Sequence, residues 1–405
     1  MTSTAPETEV RDRAPSLVDA RVPAPGGRRP LPGRLVGIDL ARGIAVFGMY
    51  AVHVGPDATV GGPVGFALET ASGRSSALFA FLAGFSLTII TGRPHPRTGR
   101  AGRQAVARVA IRALVLLVLG YALTALDTEV NVILSCYGLL FLTALPLHRL
   151  RAPALALVAA GGALVLPQIL YVVRASLGGG GTSGMAELLF TGNYPALTWF
   201  PFLVAGMAVA RLDLTRRGTK LRLMLTGGAL AVLGYGGSWL ALHLVPRALP
   251  AVASATGAGS ASSAWWSDTV GEPHGRVPPA WLLVAAPHSE TTFSVVGNTG
   301  VALCTVVVCL AVADRMPRLT RLARPVAAVG STALSVYVLQ ILALWFFGDV
   351  WYVPAVGGDG LSALTVLFSF IATAMVLATL WTRWFRRGPL EHLLHAATRP
   401  AEHVG

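Results

Sequence analysis

Asp39, Arg42 and His53 place a carboxylate, a guanidinium and an imidazole in the first apolar segment of the chain. Eleven residues of α-helix make about three turns plus 20°, so Arg42 and His53 share one face, about 16 Å apart along the axis. Asp39 precedes Arg42 by one helical turn and joins that face. An ionisable group at membrane depth costs roughly 3 kcal/mol or more, so such groups face a bundle interior or a wet cavity. We therefore expect this polar stripe to handle a substrate across a membrane.

Each residue of the stripe has a structural and a chemical interpretation. His53, near the outer end of the segment, can take a proton from an attacking hydroxyl or amine, or can simply bond a carbonyl or a lipid headgroup. Arg42 can form an ion pair with Asp39, and it can also meet the phosphates of a ligand that enters from the cytoplasm. The ion pair and the ligand contact are compatible, because a buried guanidinium needs a partner while the site is empty.

The composition indicates an all-α, polytopic membrane protein. The 405 residues are 54% hydrophobic and 13% charged, with a mean hydropathy of +0.62, and a soluble domain carries about twice that charged fraction. We predict about ten transmembrane helices from apolar windows of about 20 residues. These windows lie near 35–54, 75–92, 105–125, 129–147, 153–173, 194–211, 222–245, 293–313, 326–347 and 361–382.

Basic residues predict the orientation. Most of the 32 Lys and Arg residues fall in the N-terminal segment, the C-terminal tail and every second loop, and the positive-inside rule then predicts cytoplasmic termini and a multi-pass protein of the plasma membrane. The opposite side carries only Arg74, Arg174, Arg247 and Arg276. The net charge of +13 does not indicate nucleic-acid binding, because the arginines are spread between apolar runs rather than gathered on one face.

Three regions follow from these patterns. Residues 1–34 are polar, Pro-rich and Arg-rich, which predicts a disordered basic N-terminus that is too long for a signal peptide. The membrane domain covers 35–382, and 383–405 form a basic cytoplasmic tail. The three cysteines show no metal-ligand or disulfide spacing, and we expect small apolar core residues there and no bound metal.

Polar and aromatic residues at the predicted outer ends of the helices could bind an acceptor substrate. Arg74 and Ser76 open the second span and are expected near His53, since both span ends meet the outer surface. Tyr194 and Trp199 start the sixth span and could line the same mouth, although tryptophan at a boundary is also typical of an interfacial belt.

Two further pairs complete the predicted substrate-binding set. His288 and Glu290 are two residues apart just outside the eighth span, which carries Asn298, and they are either an acid/base pair or part of a solvated loop. Tyr337 and Gln340 place a hydroxyl and an amide within the ninth span, where interhelical hydrogen bonding is the alternative role.

Four of these segments resemble the heparan-alpha-glucosaminide N-acetyltransferase-like family, and more closely its YeiB-like members. The similarity covers about 34–390. The segments are Asp39-x-x-Arg42-Gly43, Gly73-Arg74-Ser-Ser-Ala-Leu-Phe-Ala-Phe-Leu-Ala-Gly84-Phe-Ser86, Tyr194-Pro-x-Leu-Thr198-Trp199 and Gly330-Ser-x-Ala-Leu-Ser-x-Tyr337-x-Leu-Gln340. Arg42-x10-His53 also resembles the arginine-to-histidine signature of the membrane acyltransferase-3 family.

The resemblance implies transfer of an acyl group, most simply acetyl, from cytoplasmic acetyl-CoA or another acyl-CoA to a hydroxyl or amine acceptor outside, such as a sugar. It implies that His53 is the catalytic base and that Arg42, with Asp39, supports the acyl-CoA. One departure stands out. The heparan-type enzymes carry a functional histidine in the first outer loop, and residues 54–74 here contain no histidine.

Other function classes stay open at this stage. A transporter or export-associated protein could use the Asp39–Arg42–His53 stripe for proton or anion handling, but paired broken helices and inverted repeats are not evident. A non-catalytic membrane partner of another enzyme is a third class. The expected partners are membrane lipids and a small-molecule or glycan acceptor, without nucleic acid. A homodimer is compatible with the sequence, which leaves the oligomeric state open.

Overall fold

Long apolar runs form most of the helices of this chain. The computed structural model describes residues 1–2, 36–57, 60–177, 182–348 and 360–404, and within these residues the regular elements are helices, with no strand. The prediction of a disordered N-terminus concerns residues that, apart from Met1 and Thr2, lie outside the described part. Residues from Leu35 onward form one compact unit.

The α-helices are named here in chain order, with their bounds. They are α1 (Val36–Val54), α2 (Gly62–Ala71), α3 (Arg74–Thr91), α4 (Gly99–Thr124), α5 (Leu134–Ala144), α6 (Ala152–Ser176), α7 (Ala196–Ala210), α8 (Arg217–Ala231), α9 (Gly237–Leu244), α10 (Ala248–Thr256), α11 (Thr292–Arg315), α12 (Pro317–Leu322), α13 (Arg324–Ser331), α14 (Ala333–Phe347), α15 (Gly360–Trp384) and α16 (Pro389–Ala397).

The all-helical, multi-pass membrane class predicted from the sequence is confirmed. Seven helical stretches in the described part of the chain are long and apolar enough to cross a membrane, or eight if the bent pair α13–α14 forms one span. Each of the ten predicted windows coincides with helix, but α5 has only 11 residues and α7 only 15. The count of ten spans and the cytoplasmic position of the termini remain predictions.

Small residues bring the central helices into backbone contact. A Cβ added at Gly84 of α3 would strike the carbonyl of Leu203 on α7, and one at Gly206 of α7 would strike the carbonyl of Phe81 on α3. Close approach through small residues is the usual way in which helices associate in membranes. Gly84 and Gly206 therefore fix how closely α3 and α7 pack.

The bend between α13 and α14 shapes the inside of the bundle. The two helices meet at 84° around Thr332, whose φ of −121° and ψ of 30° depart from helical values. Before the bend, Gly330 packs directly on the carbonyl of Asp39 in α1. The bend therefore anchors α13 to the polar stripe and directs the start of α14, with Tyr337 and Gln340, into the bundle.

The long loop 247–292, predicted to lie on the outer side, forms a cap with its own apolar core. It contains α10 and two short 3₁₀ turns, Asp268–Val270 and Pro279–Leu283. Val252, Trp281 and Val284 are among the residues that it buries. At the other end of the bundle, α16 follows the long helix α15. The segment after α16 is held by Gln104 of α4, which donates to the carbonyl of Glu402 at 2.9 Å.

Candidate active site

Asp39 and Arg42 form the ion pair expected from their spacing. Nη1 of Arg42 lies 2.9 Å from Oδ1 of Asp39, and Nη2 donates to Oγ of Ser86 on α3 at 2.8 Å. Asp39 is 7% exposed, so its carboxylate compensates the guanidinium away from bulk water. The pair fixes the direction in which Arg42 points, toward a cavity between α1, α3 and α14.

This inner cavity has a volume of about 260 Å³, and its lining includes Arg112 of α4 and Glu391 of α16. Arg42 and Ser86 line it together with two buried tyrosines, Tyr137 of α5 and Tyr337 of α14. The hydroxyl of Tyr137 donates to the carbonyl of Ser76 at 3.4 Å, and the hydroxyl of Tyr337 accepts from the backbone N–H of Ile133 at 3.4 Å. The inner cavity is thus cationic on one wall and aromatic at depth.

His53 contacts α14 rather than lining the inner cavity directly. Its Nδ1 lies 3.4 Å from Oε1 of Gln340. An amide oxygen at this position accepts from an Nδ1–H, and in that tautomer Nε2 keeps a lone pair. Gln340 is one turn beyond Tyr337, about 5 Å along the helix, so His53 stands just past the deep end of the inner cavity. Nε2 of the Gln340 amide is buried and has no hydrogen-bond partner.

Glu290 organises a second polar site, on the side predicted to be the outer one. Its Oε1 accepts from Nε1 of Trp199 at 3.1 Å, and its Oε2 accepts from the hydroxyl of Thr198. Tyr194 and Trp199 both contact the ring of His288, with centroid distances of 5.5 and 6.3 Å. His288 and Glu290 have positive φ values of 57° and 59°, a strained conformation for non-glycine residues that is enriched at functional sites.

His288 and Glu290 line two outer cavities. The larger has a volume of about 360 Å³ and lies beneath the 247–292 cap, where Trp281 and the buried Ser289 also contribute to its wall. Oγ of Ser289 has no hydrogen-bond partner. The smaller, of about 10 Å³, adds Ala77 of α3 and is close to the space of one water molecule.

The inner and outer cavities approach each other along α3. Ala77 lines the small outer cavity, and Phe79 lines the inner one. These two residues are separated by about 3 Å along the helix axis. The hydroxyl of Tyr194 interacts with Ser76 in the same stretch, and His53 lies near enough to His288 for their charges to interact. Residues two apart on a helix point about 200° away from each other, so the two cavities lie on opposite faces of α3, and this helix with the side chains around Ser76 separates them.

The contacts of Arg74 are with the cap and its surroundings and not with His53. Its guanidinium donates to the carbonyls of Glu69 at 2.9 Å and Trp266 at 2.6 Å. It also lies over the ring of Tyr235, 4.9 Å from the centroid, and Tyr235 donates to Oδ1 of Asn298 at 2.6 Å. Arg74 and Asn298 thus belong to one network that ties the cap to α3, α11 and the turn after α8.

Several residues of the site were given no role by the sequence analysis. Ser86 was quoted only within a motif, and Tyr137 and Ser289 carried no pattern of their own. Arg112 was read only as a charge that sets orientation. Glu391, assigned to the basic tail, lines the inner cavity from α16. Ser86 lies about three turns after Arg74 on α3, and its place in the quoted motif was the signal available for it.

Comparison with known families agrees with this architecture. Residues 34–244, just over half of the chain, match the model of the heparan-alpha-glucosaminide N-acetyltransferase catalytic region. Residues 277–401 match a family described as a protein of unknown function, DUF418. No curated protein matches the chain. The catalytic-region match supports membrane N-acetyltransferase activity in general terms. The chain belongs to the heparan-alpha-glucosaminide N-acetyltransferase-like, or YeiB-like, family of multi-pass membrane proteins.

Proposed function

We propose that this protein is a plasma-membrane acyltransferase that moves an acyl group, most simply acetyl, from acyl-CoA in the inner cavity to an acceptor in the outer cavity. The observation that carries the proposal is the pair of cavities that approach each other at Ala77 and Phe79 on α3. A donor and an acceptor that reach this part of α3 from opposite sides can react without either one crossing the membrane.

Arg42 is the proposed anchor of the donor. It lines the inner cavity and is oriented by Asp39 and Ser86. A guanidinium suits the phosphate groups of acyl-CoA, and the apolar and aromatic depth of the cavity suits the pantetheine arm and the acyl group. Tyr137 and Tyr337 would then lie near the thioester.

His53 is the proposed general base. Its Nε2 would take the proton of the acceptor hydroxyl or amine as the acceptor oxygen or nitrogen attacks the thioester carbonyl. The new acyl bond forms, the carbon–sulfur bond breaks, and the departing thiolate takes up a proton. Gln340 holds the Nδ1 proton and therefore keeps the lone pair on Nε2.

The acceptor would occupy the outer cavity. Ser289, Glu290 and His288 offer hydrogen-bonding groups there, and Trp281 provides an aromatic face at its wall. Hydroxyl-rich or amine-bearing compounds such as sugars fit this combination of polar groups and a ring.

Transfer from radiolabelled acetyl-CoA to glucosamine, used as an amine and hydroxyl probe, tests the proposal with detergent-purified protein. His53→Ala should lower the rate by about 10² or more, the usual contribution of a general base. His95→Ala is the matched control, because His95 is exposed in a loop at the other end of α3. Equal rates for both variants at an unchanged melting temperature would refute the role of His53.

Transport is the second candidate, and the part-buried Asp39–Arg42 ion pair, whose arginine lines the inner cavity, favours it. A transporter would move its substrate into proteoliposomes with no requirement for acyl-CoA. Uptake that is independent of acyl-CoA, combined with no acetyl transfer by the same preparation, would support this candidate over the acyltransferase.

A further inference from the structure

Four arginines gather at the predicted cytoplasmic mouth of the inner cavity. Arg112 of α4 lines the cavity itself, and Arg108 and Arg387 lie near enough for their charges to repel it. Arg399 joins the group through His395 of α16. Burial, followed by the charges of Arg387, Arg112 and Arg399, lowers the pKa of His395. The mouth is therefore strongly cationic.

No carboxylate in the described part of the chain forms an ion pair of 4 Å or less with these four arginines. Glu391 is the nearest candidate, but its Oε1 accepts from the backbone N–H of Leu334 at 2.8 Å and its Oε2 from the hydroxyl of Ser335 at 2.5 Å. Glu402 acts on His395. The ion pairs between described residues involve none of the four arginines. Nε of Arg112 is buried without a hydrogen-bond partner.

Arg108 and Arg112 are partly buried, whereas Arg387 and Arg399 are exposed. Like charges gathered in this way repel one another, so such a cluster is expected to bind an anion. The forked guanidinium group pairs with two phosphate oxygens at once, which makes phosphate esters the best match for several arginines. Glu391 contributes indirectly, because it caps the start of α14 and so fixes α16 beneath the cavity.

The size of the inner cavity indicates where the phosphates lie. A volume of about 260 Å³ is below the 300–1,000 Å³ that is typical for a drug-sized ligand. It has room for an acyl-pantetheine arm but not for a whole acyl-CoA. The nucleotide must then remain at the mouth, where the arginines are.

We propose that Arg108, Arg112, Arg387 and Arg399 form a phosphate-binding site that holds the 3′-phosphorylated nucleotide of the donor. This site rests on the proposed function for its ligand. Its chemistry is shared by the phosphates of anionic lipids, and the experiment below separates these two sources. It also assigns a role to the C-terminal region, from which Arg387 and Arg399 come.

The test measures the affinity of the full-length, detergent-purified protein for CoA and for 3′-dephospho-CoA. Three proteins are compared: wild type, Arg112→Gln/Arg387→Gln, and Arg318→Gln. Arg318 of α12 is exposed on the same predicted side, so its substitution removes charge without touching the cluster. The single variant Arg387→Gln, at an exposed side chain, replaces the double variant if the latter does not fold. In parallel, melting temperatures are recorded in nanodiscs of phosphatidylglycerol and of phosphatidylcholine.

We expect wild type and Arg318→Gln to bind CoA about tenfold more tightly than 3′-dephospho-CoA, as one charge-assisted contact predicts. The double variant should bind both with the same, weaker affinity. A phosphatidylglycerol-dependent stabilisation that only the double variant loses, without any preference for CoA, would support the site with lipid as its ligand. Equal behaviour of wild type and double variant in both arms would overturn it.

Failure of the phosphate site and failure of the proposed acyltransferase function give different results. Acetyl transfer by wild type with cluster-independent CoA binding overturns the phosphate site alone. A cluster-dependent preference for CoA without any acetyl transfer overturns the acyltransferase alone.

Discussion

Oε1 of Gln340 lies 3.4 Å from Nδ1 of His53, while Nε2 of the same amide is buried without a partner. A buried, unsatisfied amide donor destabilises a fold by about 1–3 kcal/mol. Such a group is retained where it serves a ligand or a reaction. Gln340 therefore keeps one amide donor without a protein partner, and the same side chain contacts the proposed base.

Gln340→Leu should therefore slow acetyl transfer while leaving the protein at least as stable. Without the hydrogen bond to Nδ1, neither the tautomer nor the orientation of the His53 ring is fixed. The lost hydrogen bond is worth about 1 kcal/mol or more, which predicts a rate lower by about tenfold. Leucine has no unsatisfied amide, so the melting temperature should hold or rise. The rate of acetyl transfer is measured as a function of pH. Rates equal to those of wild type across the pH range would contradict the positioning role.

The Asp39–Arg42 pair allows donor binding to be separated from stability. Arg42→Gln removes the guanidinium from beside the buried Asp39 carboxylate, which keeps a further contact, and should destabilise the protein by about 1–3 kcal/mol. Asp39→Asn/Arg42→Gln removes both charges and should recover most of that stability. Neither variant should show the rise in melting temperature that acetyl-CoA gives wild type. An undiminished acetyl-CoA shift in the stable double variant would exclude Arg42 from the donor site.

The backbone contact between α3 and α7 should tolerate no added methyl group. Gly206→Ala drives a Cβ into the carbonyl of Phe81, and overpacking of this kind destabilises by about 1–3 kcal/mol or more. Gly161→Ala on α6 is the control, because a Cβ there meets no atom within 4 Å. Thermal melting of the two proteins should differ clearly, with Gly161→Ala close to wild type. Similar melting of both would mean that α3 and α7 are less closely packed.

Glu290 should govern the acceptor and not the donor. Glu290→Gln retains a side-chain oxygen but loses the charge that Thr198 and Trp199 face, and it should raise KM for the acceptor by about tenfold. KM for acetyl-CoA should stay unchanged, because Glu290 lines the outer cavities only. Steady-state kinetics with each substrate varied in turn measures the split. A change confined to the KM for acetyl-CoA would contradict the assignment of Glu290 to the acceptor site.

The helices were predictable from the sequence because long apolar runs determine where a chain can cross a membrane. The ion pair of Asp39 with Arg42 was equally predictable, since it depends on a spacing of three within one helix. Local patterns of this kind need no knowledge of how the helices are arranged.

Contacts between distant segments were not predictable in the same way. Arg74 was expected near His53 because both lie at outer helix ends, yet its partners are Trp266 and Tyr235, which the fold of the 247–292 cap brings to it. Glu391 gave no signal, because its contact with Leu334 depends on the bend after α13. Periodicity reports which face of a helix is polar, but not which other helix that face meets.

The bond between Glu391 and the start of α14 has a consequence for how the protein is made. The wall of the inner cavity includes the carboxylate of Glu391, which is translated after α1, α3, α4, α14 and α15. The cavity is therefore completed only once those helices have entered the bilayer, and the nascent protein should acquire its donor pocket as a late event of biogenesis rather than helix by helix.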